Sequence, residues 1–188
     1  MTGQTIKVAV NGALGRMGQT VLGAVEADPA TIAVGGADNA ASADTVAVPG
    51  GNPVMLAATL ADLLSKVEAD VVVDFSNGAG AVDTMAAATS AGVCVVSGST
   101  GVPPGELERF GSLAAEKGVG IISASNFALG AVLMMYLAEV AGPHFQYADL
   151  VESHHEAKID SPSGTALSIA DAARTGRDDD FTYNEPEK

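Results

Sequence analysis

Short apolar runs alternate with helical stripes along most of this chain. Ile6–Val10 reads as a strand. The glycine turn Asn11–Gly18 leads into a helix that carries Met17, Val21, Leu22 and Val25 at helical spacing. Thr31–Gly36 predicts a second strand ending near Asp38, and Ala37–Asp44 reads as loop. Val54–Ala57 predicts a minor strand. Thr59 then stands where a helix N-cap belongs, with Asp62 three residues on in a capping-box pattern. Val71–Phe75 (VVVDF) and Val93–Ser97 are continuous apolar strands, separated by an alanine-rich helix over Ala79–Ala91. Pro103 and Pro104 precede a helix running to about Lys117, Gly120–Ser123 is the next strand, and Ala124–Phe127 is its exit loop.

Strands that are apolar on both faces and alternate with helices indicate a parallel sheet covered on both sides. The expected class is therefore α/β: a Rossmann-like, doubly wound dinucleotide-binding domain over residues 1–127. After Phe127 the rhythm changes to a helix over Gly130–Ala141, a short alternating strand over Ala148–Ser153, a loop, and a helix opening at Ser163. This predicts the start of a smaller α+β substrate domain over residues 128–188, with an acidic loop or tail from Arg174 onward. In open parallel sheets ligands bind beyond the carboxyl ends of the strands. The polar and glycine-rich turns fall at those ends: Gly12–Gly18, Asp38, Asp74–Gly78, Gly98–Gly101 and Ala124–Phe127.

Composition narrows the function. The 188 residues are 47% hydrophobic with 22 glycines, a globular balance, and the net charge is −14. Such a charge argues against nucleic acid and anionic membrane surfaces as partners. An acidic protein holds an anionic ligand with local devices, such as helix N-termini and a few placed cations. Cys94 is the only cysteine, in an apolar run, so it reads as a small buried hydrophobe in a reducing compartment. Lys7 and Asn11 interrupt any leader-like apolar core, and Gly130–Ala141 is too short to span a bilayer and holds Glu139. A cytoplasmic location is expected.

The stretch Glu152–Ala166, ESHHEAKIDSPSGTA, concentrates the candidate chemistry. It holds two of the three histidines and one of the nine basic residues, next to a Ser-Gly-Thr that opens a helix. Ser163 stands at the N-cap, ahead of an apolar stripe of Ala166, Leu167, Ile169, Ala170 and Ala173. The first N–H groups of a helix lack internal partners and carry the positive end of its dipole, so a carboxylate binds there. Gly164 allows close approach and Thr165 adds a hydroxyl. A histidine is matched to proton transfer near neutral pH, and Lys158 supplies a fixed charge. Each residue alone reads as ordinary surface or capping chemistry; their convergence points to a small acidic substrate. His144, in AGPHFQY, reads as a loop residue, and no cluster has metal-ligand spacing, so no metal is expected.

The early glycines are spaced Gly12-x-x-Gly15-x-x-Gly18, between a strand and a helix, with Asp38 further on. Glycine lets a pyrophosphate sit against backbone N–H groups at the helix start, and Arg16 adds a charge. Asp38 would accept from the adenine-side ribose and repel a 2′-phosphate. No Arg or Lys follows it in GADNAAS, which predicts NADH as the preferred cofactor, with NADPH possible.

Together, the segments VAVNGALGRMG, VVVDFS, SGSTG, SASNFALG and ESHHEAKIDSPSGTA resemble the dihydrodipicolinate reductase (4-hydroxy-tetrahydrodipicolinate reductase) family of lysine and diaminopimelate biosynthesis, from Val8 to Ala166. The resemblance implies hydride transfer from a reduced pyridine nucleotide to a cyclic unsaturated dicarboxylate, giving tetrahydrodipicolinate. By this resemblance His154 is the general acid and Lys158 the catalytic lysine. His155, Ser163, Gly164 and Thr165 bind substrate. Gly12, Ala13, Leu14, Gly15, Arg16, Met17 and Asp38 bind the dinucleotide, and Gly98, Ser99, Thr100, Ala124, Ser125, Asn126 and Phe127 lie in loops near the nicotinamide. The family's usual assembly, a homotetramer, implies a homo-oligomer here. Two departures stand out. Phe75-Ser76-Asn77-Gly78 replaces the family's Thr-Pro pattern, implying a looser loop there, and only residues 167–188 follow Ala166 where family members run much further. The competing expectation is therefore a truncated, non-catalytic dinucleotide-binding module.

Overall fold

The computed structural model describes residues 5–154, 156, 161–177 and 180–181. The chain forms two compact units, Met1–Ala124 and Ser125–Lys188. The first is built on a seven-stranded sheet, comprising β1 (Ile6–Asn11), β2 (Thr31–Ala37), β3 (Thr45–Val46), β4 (Val54–Ala57), β5 (Val71–Asp74), β6 (Cys94–Ser97) and β7 (Ile121–Ser123). The strand order is β3-β4-β2-β1-β5-β6-β7. All pairs are parallel except β3 with β4. The order reverses direction at β1 and β5, the switch point where open α/β sheets bind ligands.

Alternation along the strands explains why both faces are covered. On β1, Val8 and Val10 pack on one face with Leu22 and Val25 of α1 (Arg16–Ala27). Ala9 points the other way, into a cluster with Leu63, Met85, Val95 and Phe110. These come from α2 (Leu60–Leu64), α3 (Gly78–Ala91), β6 and α4 (Pro104–Lys117). The helix starts follow local chemistry. Thr59 accepts from Asp62 N at 3.1 Å, and Asn77 accepts from Gly80 N at 3.0 Å. The Phe75–Gly78 turn is thus tied by a side-chain cap rather than loosened.

Register brings the functional ends together. Asn11 pairs with Ala37 on one side and Asp74 on the other, Asp74 pairs with Ser97, and Ser97 with Ser123. An irregularity between Val8 and Ala9 sets the β1–β2 alignment.

The second unit contains α5 (Leu129–Ala141), a 3-10 turn at Gly142–His144, and α6 (Gly164–Thr175), with α5 and α6 packed together. Here two expectations are corrected. The strand expected at 148–153 does not form: Val151 is 91% exposed, and no described residue of this unit is in a strand that could pair with it. A lone strand has no ladder to satisfy its backbone. The helix α6 also runs through Arg174 to Thr175, where a loop or tail was expected. Among the described residues, no helix is long and apolar enough to cross a membrane.

Candidate functional site

In the first unit the chain leaves β1 at Asn11 and turns at Gly12, which has φ +76°. A Cβ there would lie 2.7 Å from the Phe75 carbonyl oxygen. One at Gly18 would lie 2.0 Å from the Gly12 carbonyl oxygen, so α1 can settle onto the turn only with glycine at both places. The turn is anchored by Gly12 N and Ala13 N, which donate to Ala37 O at 2.9 and 3.1 Å. Gly15 is the N-cap of α1 and supplies no side-chain cap, which leaves the helix start open to an anion.

Asp38, just beyond β2, receives Leu14 N on Oδ2 at 3.0 Å and Ala40 N on Oδ1 at 3.0 Å. Each carboxylate oxygen has a second lone pair, so the group can still accept from a ribose hydroxyl. A cavity of about 690 Å³ is lined by Asn11, Gly12, Gly15, Asp38, Ser76 and Thr84, among others. The backbone-lined turn, the uncapped helix start and the acceptor at the β2 end fit a dinucleotide in chemistry and in room.

Beside this cavity, Asp74 at the end of β5 is fully buried. Its Oδ1 accepts from Asn11 Nδ2 at 2.9 Å and Ser76 Oγ at 2.6 Å. Its Oδ2 accepts from Ser97 Oγ at 2.8 Å and Ser99 Oγ at 2.7 Å. The loop after β6 is held further by Gly98 N donating to Asp74 O at 2.9 Å.

In the second unit, Ser163 caps α6, its Oγ accepting from Ala166 N at 3.0 Å. The Glu152 carboxylate lies on this cap, accepting from Ser163 N at 2.9 Å and Ser163 Oγ at 2.5 Å. His154 Nδ1 is 3.6 Å from Glu152 Oε2. Asn126 Nδ2 donates to Thr165 Oγ1 at 3.1 Å, and the Ser125 and Ser168 hydroxyls are 2.8 Å apart.

Family models cover both units: "Dihydrodipicolinate reductase, N-terminus" matches residues 6–127 and "Dihydrodipicolinate reductase, C-terminus" matches residues 130–187. The chain belongs to the dihydrodipicolinate reductase family. A 4-hydroxy-tetrahydrodipicolinate reductase of Dehalococcoides mccartyi is 39% identical over 184 residues, spanning 97% of this chain and 69% of that protein. The structure of a dipicolinate-bound dihydrodipicolinate reductase from Paenisporosarcina sp. TG-14 superposes with a TM-score of 0.77 at 30% identity, covering 98% of this chain and 71% of that one. A GenD2 structure from gentamicin A biosynthesis, solved in complex with NAD, shares the fold with a TM-score of 0.59 at 23% identity, over 76% of this chain and 41% of that one. The chain is thus a member of an NAD(P)H-dependent reductase family on a Rossmann-like sheet.

Within this dihydrodipicolinate reductase fold, the residues expected from sequence fall as follows. Gly12, Gly15 and Asp38 line the cavity, while Ala13 is buried in the turn and Leu14, Arg16 and Met17 are exposed around it. Gly98 and Ser99 are pinned to Asp74, and Thr100 is exposed. Ala124 N donates to Ser97 O at 3.1 Å, while Ser125 and Asn126 reach the first turns of α6 within the second unit. Phe127 is exposed. Gly164 and Thr165 occupy the first turn of α6, where N–H groups lack helical partners. Ser163 is buried and its hydroxyl is taken up by Glu152 and Ala166. His155 and Lys158 lie outside the described residues.

Two groups escaped the sequence reading. Asn11, Asp74, Ser76 and Ser97 form one polar cluster; its signal was a carboxylate inside the apolar run VVVDF, since a buried charge needs donors around it. Glu152 opens the histidine stretch, but its partner Ser163 is eleven residues away along the chain.

Proposed function

We propose that this chain reduces 4-hydroxy-tetrahydrodipicolinate to tetrahydrodipicolinate with a reduced pyridine nucleotide, NADH in preference to NADPH. The observation that carries the proposal is the match of both units to one reductase family, together with a cofactor-sized cavity at the sheet's switch point. The bound nicotinamide supplies a hydride. Gly12 to Met17 present the uncapped start of α1 to the pyrophosphate, and Asp38 accepts from a ribose hydroxyl. A 2′-phosphate would meet the Asp38 charge with no Arg or Lys in residues 37–44 to offset it, which supports the preference for NADH. The loops at Gly98–Thr100 and Ala124–Phe127 border the nicotinamide in this reading.

For the substrate, Gly164 and Thr165 offer the α6 start to a carboxylate, and Lys158 and His155 serve the second. Ser163 holds the cap rather than the ligand, because Glu152 occupies its hydroxyl. His154 donates the proton that completes the reduction.

The test is an assay with freshly generated 4-hydroxy-tetrahydrodipicolinate, following NADH consumption. His154→Ala is expected to lower kcat by roughly 10²- to 10⁴-fold, and Lys158→Ala to lower it as well, with NADH binding unchanged in both. NADH is expected to bind about tenfold more tightly than NADPH, and Asp38→Ala to narrow that gap. One observation favours a second reading, a dinucleotide-binding module without turnover: none of the α5 side chains in the second unit is buried. Tight NADH binding with no consumption of substrate, indifferent to His154→Ala, would select it.

A further inference from the structure

Asp74 is fully buried, and among the described residues no Lys, Arg or His pairs with it. Its neighbours are neutral donors instead: Asn11 and Ser76 on Oδ1, Ser97 and Ser99 on Oδ2. The Thr84 hydroxyl is 3.4 Å from Oδ1 and accepts from Asn11 Nδ2 at 2.9 Å. Four hydrogen-bonding groups on two oxygens match the acceptor capacity of a carboxylate. An apolar strand end could have closed this spot more simply, because burying a charge costs more than burying a methyl group. The position of the group beside the cavity offers a further use for it.

The surroundings indicate what that is. Asn11, Ser76 and Thr84 line the cavity, and Ser99 belongs to the loop at the end of β6. A dinucleotide bound here would span the switch point, with one mononucleotide toward each half of the sheet. Asp38 follows the last residue of β2, which marks that side for the adenosine half. Asp74 ends β5 and ties it to β6, under the other half. On oxidation the nicotinamide ring becomes cationic, so a fixed negative charge there opposes no group of the ring and favours its oxidised form.

We infer that Asp74 is the positioning residue of the nicotinamide half: it fixes the Ser76 turn and the Ser99 loop through its four donors, and its charge favours the oxidised ring over the reduced one. This rests on the dinucleotide reading of the same cavity. Asp74 lies beside the cavity, fully buried, and its donors come from the ends of β1 and β6 and from the turns that follow β5 and β6.

Calorimetric titration of the full chain with NADH, NAD⁺ and ADP-ribose tests it. In Asp74→Asn, ADP-ribose affinity is expected to stay within about twofold of wild type, NADH to weaken several-fold, and NAD⁺ to weaken by about a further tenfold. In Ser99→Ala, which keeps the charge, NADH and NAD⁺ are expected to weaken together, again sparing ADP-ribose. A merely structural Asp74 would weaken all three ligands equally, and that result overturns the inference, as does an unchanged ratio of NAD⁺ to NADH affinity in Asp74→Asn. Should Asp74→Asn fail to fold, Ser99→Ala and Ser76→Ala decide: losses confined to the two nicotinamide ligands support the role, and equal loss of ADP-ribose overturns it. Wild-type protein that binds none of the three overturns the cofactor reading itself, and the role of Asp74 with it.

Discussion

The two units use similar apolar sequence to different ends. In the first, strands of β-branched residues are sandwiched between helices, and Leu22, Met85 and Phe110 are buried completely. In the second, α5 reads LGAVLMMYLAEVA, more uniformly apolar than any helix of the first unit, yet none of its residues is buried. Leu133, Met134, Leu137 and Val140 are each more than half exposed. An apolar stretch does not make a core; it needs a second layer of matching shape. The sheet supplies that layer on both of its faces, whereas among the described residues α5 packs on α6 and the 3-10 turn. The contrast separates a first unit closed by its own residues from a second whose described residues are joined by a helix pair and a cap.

Separating the units gives the largest expected effect. A polypeptide of residues 1–124 is expected to keep a single cooperative thermal transition by circular dichroism, and residues 125–188 alone to show none. A cooperative melt of the second piece would break the contrast. Point substitutions sharpen it. Leu22→Ala removes a side chain with 0% exposure and should cost about 2–5 kcal/mol in urea unfolding. Leu133→Ala, at 51% exposure, should cost less than about 1 kcal/mol. Equal costs would mean that α5 is covered in solution by something that buries it as the sheet buries α1.

The same contrast explains what was legible in the sequence. The β-strands and helices of the first unit could be read because each carries its own periodicity and its own punctuation. Thr59 caps α2 as the sequence predicts, and Gly12 and Gly18 mark backbone approaches that no side chain fits. The two-residue strand β3 (Thr45–Val46) falls outside every element predicted from the sequence, because a strand so short has no period to detect. The strand expected at 148–153 failed for the opposite reason: its alternation is local, but a strand exists only through its neighbour. Ser163 as a helix cap was legible from its place before the apolar stripe, whereas the Glu152 carboxylate that covers it depends on how an intervening loop folds back. The Asp74 cluster was the hardest to see. Its donors come from β1, β6 and two loops, and only the register that sets Asn11, Asp74 and Ser97 side by side unites them.

The smallest expected effect concerns what the first unit does not depend on. Lys7 Nζ donates to Glu68 Oε2 at 2.6 Å at the surface of the sheet's amino end. The hydrogen bond to Lys7, and then its charge, hold the Glu68 carboxyl below its ordinary 4.5; the same contact holds Lys7 above its ordinary 10.5. A depressed carboxyl contributes stability that is present above its unfolded value and is lost as pH falls through the lower folded one. A raised lysine contributes stability that is present below its unfolded value and is lost as pH rises through the higher folded one. The pair therefore acts across the whole range between 4.5 and 10.5 and fades at both ends. Because both groups face solvent, water and salt screen it. Glu68→Gln is thus expected to lower the melting temperature only slightly between 4.5 and 10.5 at low ionic strength, and the two proteins to converge as the pH moves past either end. A large loss at neutral pH that salt abolishes would show that surface charge, not the two-faced core, keeps the first unit folded, and would remove the basis for setting it apart from the second.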